Sequence, residues 1–258
     1  MSIRNQILLP IILVVLLLVG VAAGVSIKQF NGYVNETGLQ ATESSLKGLA
    51  GEIERRKQDA LTTGSLLASY PGFAAAVSAN DTAAVLKLMT PLVKEAKFDF
   101  MTVTNANGIV VARVHEPNKS GDSVTNQANV VSALKGTAAA FVEPGTVVKL
   151  SARAGIPIKN AAGTVVGVAS VGYNLDQMEL VDRVKKMFGA DFTVFLGDLR
   201  ISTTIEQNGK RAVGTQLDPA IAPIVLSDGK EFHGKATILG QPYITAYMPL
   251  IGPSGKPI

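Results

Sequence analysis

The sequence predicts an α+β chain: an N-terminal transmembrane helix, a long stalk helix, then two tandem modules with antiparallel sheets. Three observations predict it. An apolar run without a charge is followed by a stretch with helical periodicity. From Phe98 onward the apolar residues change to a period of two. The pattern that begins there recurs about 93 residues later.

Ile7 to Val25 is a run of 19 residues without a charge. At about 1.5 Å per residue it spans roughly 28 Å, close to the hydrocarbon thickness of a bilayer. Arg4 precedes the run and Lys28 follows it. A cleaved signal peptide shares the basic start and the apolar core, although this run exceeds a typical core of about 7–15 residues. Either reading sends the rest of the chain out of the cytoplasm, because a short basic head stays inside. The expected location is a bacterial inner membrane, with the bulk of the chain periplasmic or extracellular.

Residues 34 to 70 repeat Leu39, Leu46, Leu49, Ile53, Ala60 and Leu67 at helical spacing, with charges on the other faces. That predicts a stalk of about ten turns. Its second apolar face packs on its own module or on a second copy, which makes a homodimer through this helix one expectation. Tyr70-Pro71-Gly72 ends it, and Asn80-Asp81-Thr82 caps a second helix over Ala83 to Lys97. Strands follow over Phe100–Thr104 and Ile109–Val114, joined by the turn Asn105-Ala106-Asn107-Gly108. A short helix over Asn126–Leu134 is closed by Gly136. Strands over Ala139–Val142, Val147–Ile158 and Thr164–Tyr173 complete a curved sheet with helices on one face.

The helix Gln177 to Met187 leads into the repeat. Gly121 corresponds to Gly214 and Gly136 to Gly229, each 93 residues later. Pro157 corresponds to Pro249 and Gly163 to Gly255, each 92 later. Asp191–Phe195 and Leu199–Thr203 repeat the opening hairpin. The predicted organisation is therefore 1–28, cytoplasmic tip and anchor; 29–97, stalk and second helix; 98–176, membrane-distal module; and 177–258, membrane-proximal module. In the second module the strand that should follow Gly255 is missing, so a longer protein with a second membrane helix is expected.

Composition excludes several functions. There is no cysteine, hence no disulfide, thiolate metal site or cysteine nucleophile. A net charge of +4, spread along the chain, gives no nucleic-acid surface. His115 and His233 are the two histidines, and no His/carboxylate spacing fits a metal. Ser151 lacks a nucleophile-elbow motif. No enzyme, catalytic residue, metal or cofactor is expected.

Arg113 and His115 stand two apart on one predicted strand, and Lys149, Ser151 and Arg153 alternate on another. Each set shares one face of its strand. Turned inward, they make a pocket for a small anion, since a guanidinium binds a carboxylate with two parallel hydrogen bonds. Tyr173 on the last strand would close the pocket with its hydroxyl. Turned outward, the same residues are the solvent face of a sheet, and alternation does not choose between the two. In the second module Arg200, Lys235, Tyr243 and Tyr247 are the corresponding candidates.

An anchor, a long helix and two tandem mixed modules resemble the double-Cache (dCache) ligand-sensing ectodomains of bacterial methyl-accepting chemotaxis receptors. The resemblance covers about residues 30 to 258. It is carried by N-x-x-G-I-V-V-A-R-V-H-E-P, G-D-S-V and K-L-S-A-R-A-G-I-P-I within Val103 to Asp176. It implies PAS-like modules whose concave sheet holds a small ligand in the membrane-distal module. The spacing of Arg113, His115 and Pro117 resembles carboxylate-sensing modules. The common amino-acid-binding version carries a tryptophan in its motif, and this chain has none. Sensor histidine kinases and cyclic-dinucleotide enzymes use the same ectodomains, and a ligand-free binding module is a further alternative.

Overall fold

The apolar run lies inside α1, an α-helix over Ile3–Ala68 in the computed structural model. The structure describes residues 3–145 and 148–258, with side chains of the first helix described at residue 13 and from residue 15 onward. The anchor and stalk are one helix because Lys28 to Val34 contains no proline and a single glycine, so nothing stops it there. Among the described residues, this is the helix long and apolar enough to cross a membrane; its apolar window has mean hydropathy 1.5 and none of it is buried. Leu16, Leu17 and Leu18 are all more than half exposed, which water would disfavour and hydrocarbon would not.

The chain divides into two compact units. Residues 1–44 and 233–246 form one. In it β10 (Phe232–Ile238) and β11 (Gln241–Tyr247), named in chain order, pair as a hairpin, and Ile244 reaches α1 at Gly38.

The other unit is residues 45–232 with 247–258. In it α1 buries Leu49, Ile53, Ala60 and Leu67, and it ends before Pro71, which lacks the N–H a helix needs. A short helix α2 (Phe73–Ser78) precedes α3 (Thr82–Glu95). The Asp81 carboxylate caps α3 by accepting from the Ala84 N–H at 2.9 Å.

Five strands form one antiparallel sheet in the order β2-β1-β5-β4-β3. They are β1 (Phe100–Asn105), β2 (Val110–Arg113), β3 (Ala139–Glu143), β4 (Ser151–Lys159) and β5 (Val165–Asn174). Alternation divides their side chains. Met101, Val103, Ala154, Ile156, Ala169 and Val171 join Phe73, Val85 and Met89 in the main core. The other face carries Phe100, Thr102, Arg113 and Arg153. Part of it is covered by α4 (Ala128–Leu134), where Val130 and Ala133 pack on Val110 and Val168. The expectation of helices on one face alone is therefore corrected. Gly155 permits it: a Cβ there would run into the Asn129 backbone carbonyl.

Beyond α5 (Met178–Phe188) come the hairpin β6 (Thr193–Leu196) and β7 (Leu199–Thr203), the hairpin β8 (Glu206–Gln207) and β9 (Lys210–Arg211), and one π-helical turn over Pro223–Ser227. Two hydrogen-bonded devices recur from the first half. Gly121 N–H donates to the Val110 carbonyl (2.8 Å) and Val110 N–H to that of Asp122 (2.9 Å). Gly214 N–H likewise donates to Arg200 (2.9 Å), and Arg200 N–H to Thr215 (2.8 Å). The turn closed by Gly163 N–H to Asn160 and Asn160 N–H to Thr164 returns as Gly255 to Gly252 and Gly252 to Lys256. Both glycines of each pair have positive φ: 90° and 86°, then 81° and 77°. The strand that joins β1 to β4 in the first half, β5, has no counterpart among the described residues of the second.

Candidate functional site

Arg113 ends β2 and is 3 % exposed. The register places it opposite Thr102 of β1. Its guanidinium holds the Asp122 carboxylate with two parallel bonds, of 2.8 and 2.7 Å, and donates to the Lys119 carbonyl at 3.1 Å. That hydrogen bond and charge keep the Asp122 carboxyl below its ordinary pKa.

His115 lies past the end of β2, in a bend, and not on the strand as alternation predicted. The cause is in the ladder: Val114 N–H still bonds the Met101 carbonyl, after which Glu116-Pro117 turns the chain away. The ring keeps its place nonetheless. Its Nδ1 is 3.3 Å from the Met101 carbonyl, and it meets Phe100 edge to face at 5.7 Å. Burial holds its pKa below the ordinary value.

Arg153 of β4 is also 3 % exposed. Its Nε donates to Ser151 Oγ at 2.6 Å and its Nη1 to Gln127 Oε1 at 2.8 Å. The guanidinium carbon stands 5.1 Å from the centre of the Phe100 ring. Burial pushes its pKa down to about 10, against the opposing charge of Glu143. Glu143 itself spends its carboxylate on the start of α4, accepting from Ala128 N–H (2.9 Å) and Asn129 N–H (3.3 Å). The side chain of the preceding Gln127 makes no capping bond to that helix and accepts from Arg153. Burial raises the Glu143 pKa.

Arg113, His115 and Arg153 thus line one cavity of about 20 Å³, walled also by Phe100, Thr102, Val124, Gln127 and Val148. The other sequence candidates fall elsewhere. Ser151 is buried and supports the Arg153 guanidinium from beside it. Lys149 is exposed and precedes β4. The strand expected from Val147 starts at Ser151 because Gly145 N–H bonds the Val148 carbonyl in a turn; Val147 lies outside the described residues. Tyr173 pairs with Ala152, and so points to the opposite face from Arg153. There its hydroxyl donates to the Asp59 carboxylate and Arg56 lies over its ring at 5.0 Å.

Sequence reasoning missed Phe100, Thr102, Asp122 and Gln127. For Phe100 and Thr102 the signal was present: they alternate on the strand that pairs with Arg113. Gln127 sits at a helix start and gave no signal. In the second half, Arg200 stands 5.1 Å from the Phe195 ring centre and donates to Thr215 Oγ1. Tyr247, whose pKa burial raises, lies near Phe195 and Phe232. Lys235 and Tyr243 belong to β10 and β11.

Two sequence profiles, both described as single Cache domain 3, match the chain: one over residues 48–180, the other over 175–258. The sensor histidine kinase CitA of Klebsiella pneumoniae is 28% identical over 122 residues, which is 47% of this chain and 22% of that protein. The chain therefore spans about a fifth of the length of this curated relative. Two solved structures share the fold. The ligand-binding domain of Campylobacter jejuni chemoreceptor Tlp3 in complex with L-valine has a TM-score of 0.54 at 14% identity, over 83% of this chain and 88% of that one. The sensor domain of the V. cholerae histidine kinase DctB has a TM-score of 0.52 at 12% identity, over 84% and 81%.

Proposed function

The chain belongs to the single Cache domain 3 family, and from that premise we propose that it senses a small carboxylate outside the cytoplasm for a bacterial transmembrane receptor. In this reading α1 holds the chain in the inner membrane and the exposed side of its stalk meets a second copy. The chain acts by binding alone and performs no chemistry. One observation carries the ligand class: two buried guanidiniums and an imidazole, from two separate segments, line one cavity on one face of the sheet. Arginine is the side chain whose planar fork matches a carboxylate. L-Valine, in the Campylobacter structure, also presents a carboxylate.

The output reading is a methyl-accepting chemoreceptor, supported by the likeness to the Campylobacter receptor. A sensor histidine kinase is the second reading, supported by the Klebsiella relative. Transfer of methyl groups from S-adenosylmethionine, or of phosphate from ATP, to the native receptor in isolated membranes separates the two. The site itself is tested by calorimetry of the chain in detergent against short carboxylates. Arg153→Ala is expected to weaken binding by about 10- to 150-fold, the equivalent of about 1.5–3 kcal/mol for a hydrogen bond to a charged group. Undiminished binding by that variant removes the assignment.

A further inference from the structure

The charges around the cavity limit what it can hold. Arg113 is already balanced: both Asp122 oxygens lie against its guanidinium. Arg153 takes neutral partners, Ser151 and Gln127, and the carboxylate that acts on it at longer range, Glu143, is engaged by two backbone N–H groups of α4. His115 is held by burial on the neutral side. Lys149, the remaining cation of the sequence set, is exposed and does not line the cavity. Among the described residues, the pocket therefore carries at most one net positive charge.

Shape and chemistry agree with that balance. About 20 Å³ is room for roughly one water-sized group, which leaves no space for two carboxylates side by side. Of the remaining walls, Phe100, Val124 and Val148 are apolar, and Thr102 and Gln127 are uncharged. A second carboxylate placed against them would lose its water with no cation in return.

We infer that the pocket selects a small monocarboxylate with an apolar tail and rejects dicarboxylates, with Asp122 as the residue that sets this preference by neutralising Arg113. The inference rests on the carboxylate-binding reading above and deepens it. In the wild-type chain an approaching dianion meets one unbalanced guanidinium. Without the Asp122 charge it would meet two, both lining the same cavity.

Butyrate and succinate isolate the second charge, since they have the same chain length and differ by a methyl against a carboxylate. Calorimetry of the 258-residue chain in detergent at pH 7 is expected to show butyrate binding at least tenfold tighter than succinate. Asp122→Asn is expected to shift that ratio at least tenfold toward succinate, with a melting curve to show that the variant is folded. Equal or tighter binding of succinate by the wild type overturns the inference and leaves the carboxylate reading standing. So does an unchanged ratio in folded Asp122→Asn. If neither acid binds the wild type, the carboxylate reading falls and takes this inference with it. The wild-type ratio decides the matter even where the variant does not fold.

Discussion

His115 shows how burial converts a common side chain into a pH-dependent one. Its imidazole is held below the usual pKa near 6.5 because the protein around it disfavours charge. The unfolded chain therefore takes up a proton at higher pH than the folded chain does. The stability that neutral His115 contributes is complete above about pH 6.5, and it is lost as pH falls through the folded value. Thermal melting of the wild type and His115→Gln between pH 7.5 and 5 checks this: the wild type is expected to lose more stability across that interval than the variant. Equal losses would mean that the ring is already solvated. At the same scale, Arg113 and Arg153 differ although both are equally buried. One is tied to a carboxylate and the other to neutral groups.

Among the elements, α4 and β4 depend on one missing side chain. Gly155 lets the Asn129 backbone lie against the strand, and the added methyl of Gly155→Ala meets backbone, which cannot rotate away. Overpacking of that kind costs about 1–3 kcal/mol. For a unit of about 200 residues this corresponds to a Tm lower by roughly 2–12 °C. Differential scanning calorimetry reads it directly, and an unchanged Tm would show that α4 does not rest on β4. The loss should extend to ligand binding, because α4 positions Gln127 against Arg153. The helix and strand themselves were legible in the sequence: Gly136 marked the end of one, and alternation marked the other. Their contact was not legible, because Gly155 reads equally well as a strand residue with no partner.

For the whole molecule, the N-terminal third of α1 is a candidate membrane span. Leu16 lies near the middle of the apolar run and is 65% exposed. An arginine at the centre of a membrane helix costs about 2.5–3.5 kcal/mol on insertion scales. Leu16→Arg is therefore expected to lower the fraction of chain retained in carbonate-washed membranes. Full retention by the variant would place the membrane contact elsewhere. In the larger unit, β5 serves both sides of the sheet. Gly172 faces Arg153, and the next residue, Tyr173, reaches Asp59 and Arg56 of α1. A ligand can move α1 only if it binds two arrangements of this sheet with different affinity. Adjacent residues on opposite faces offer a short path for such a difference.

The sequence by itself determined the order of the five sheet strands and α4, the membrane-length apolar run, the recurring glycine turns and two of the pocket's cations. These follow from local periodicities and turn residues, which act within a few residues of the chain. It also placed Arg113 and Arg153 on their strands. It could not determine which face of each strand met the other, since alternation gives two faces and names neither. Only the tertiary structure paired Gly172 with Arg153, sent Tyr173 to the stalk, and brought Asp122 and Gln127 to the two guanidiniums. The physical reason is register. A strand's neighbours are fixed by hydrogen bonds to segments far away in the chain, and those bonds decide which guanidinium lies against a carboxylate.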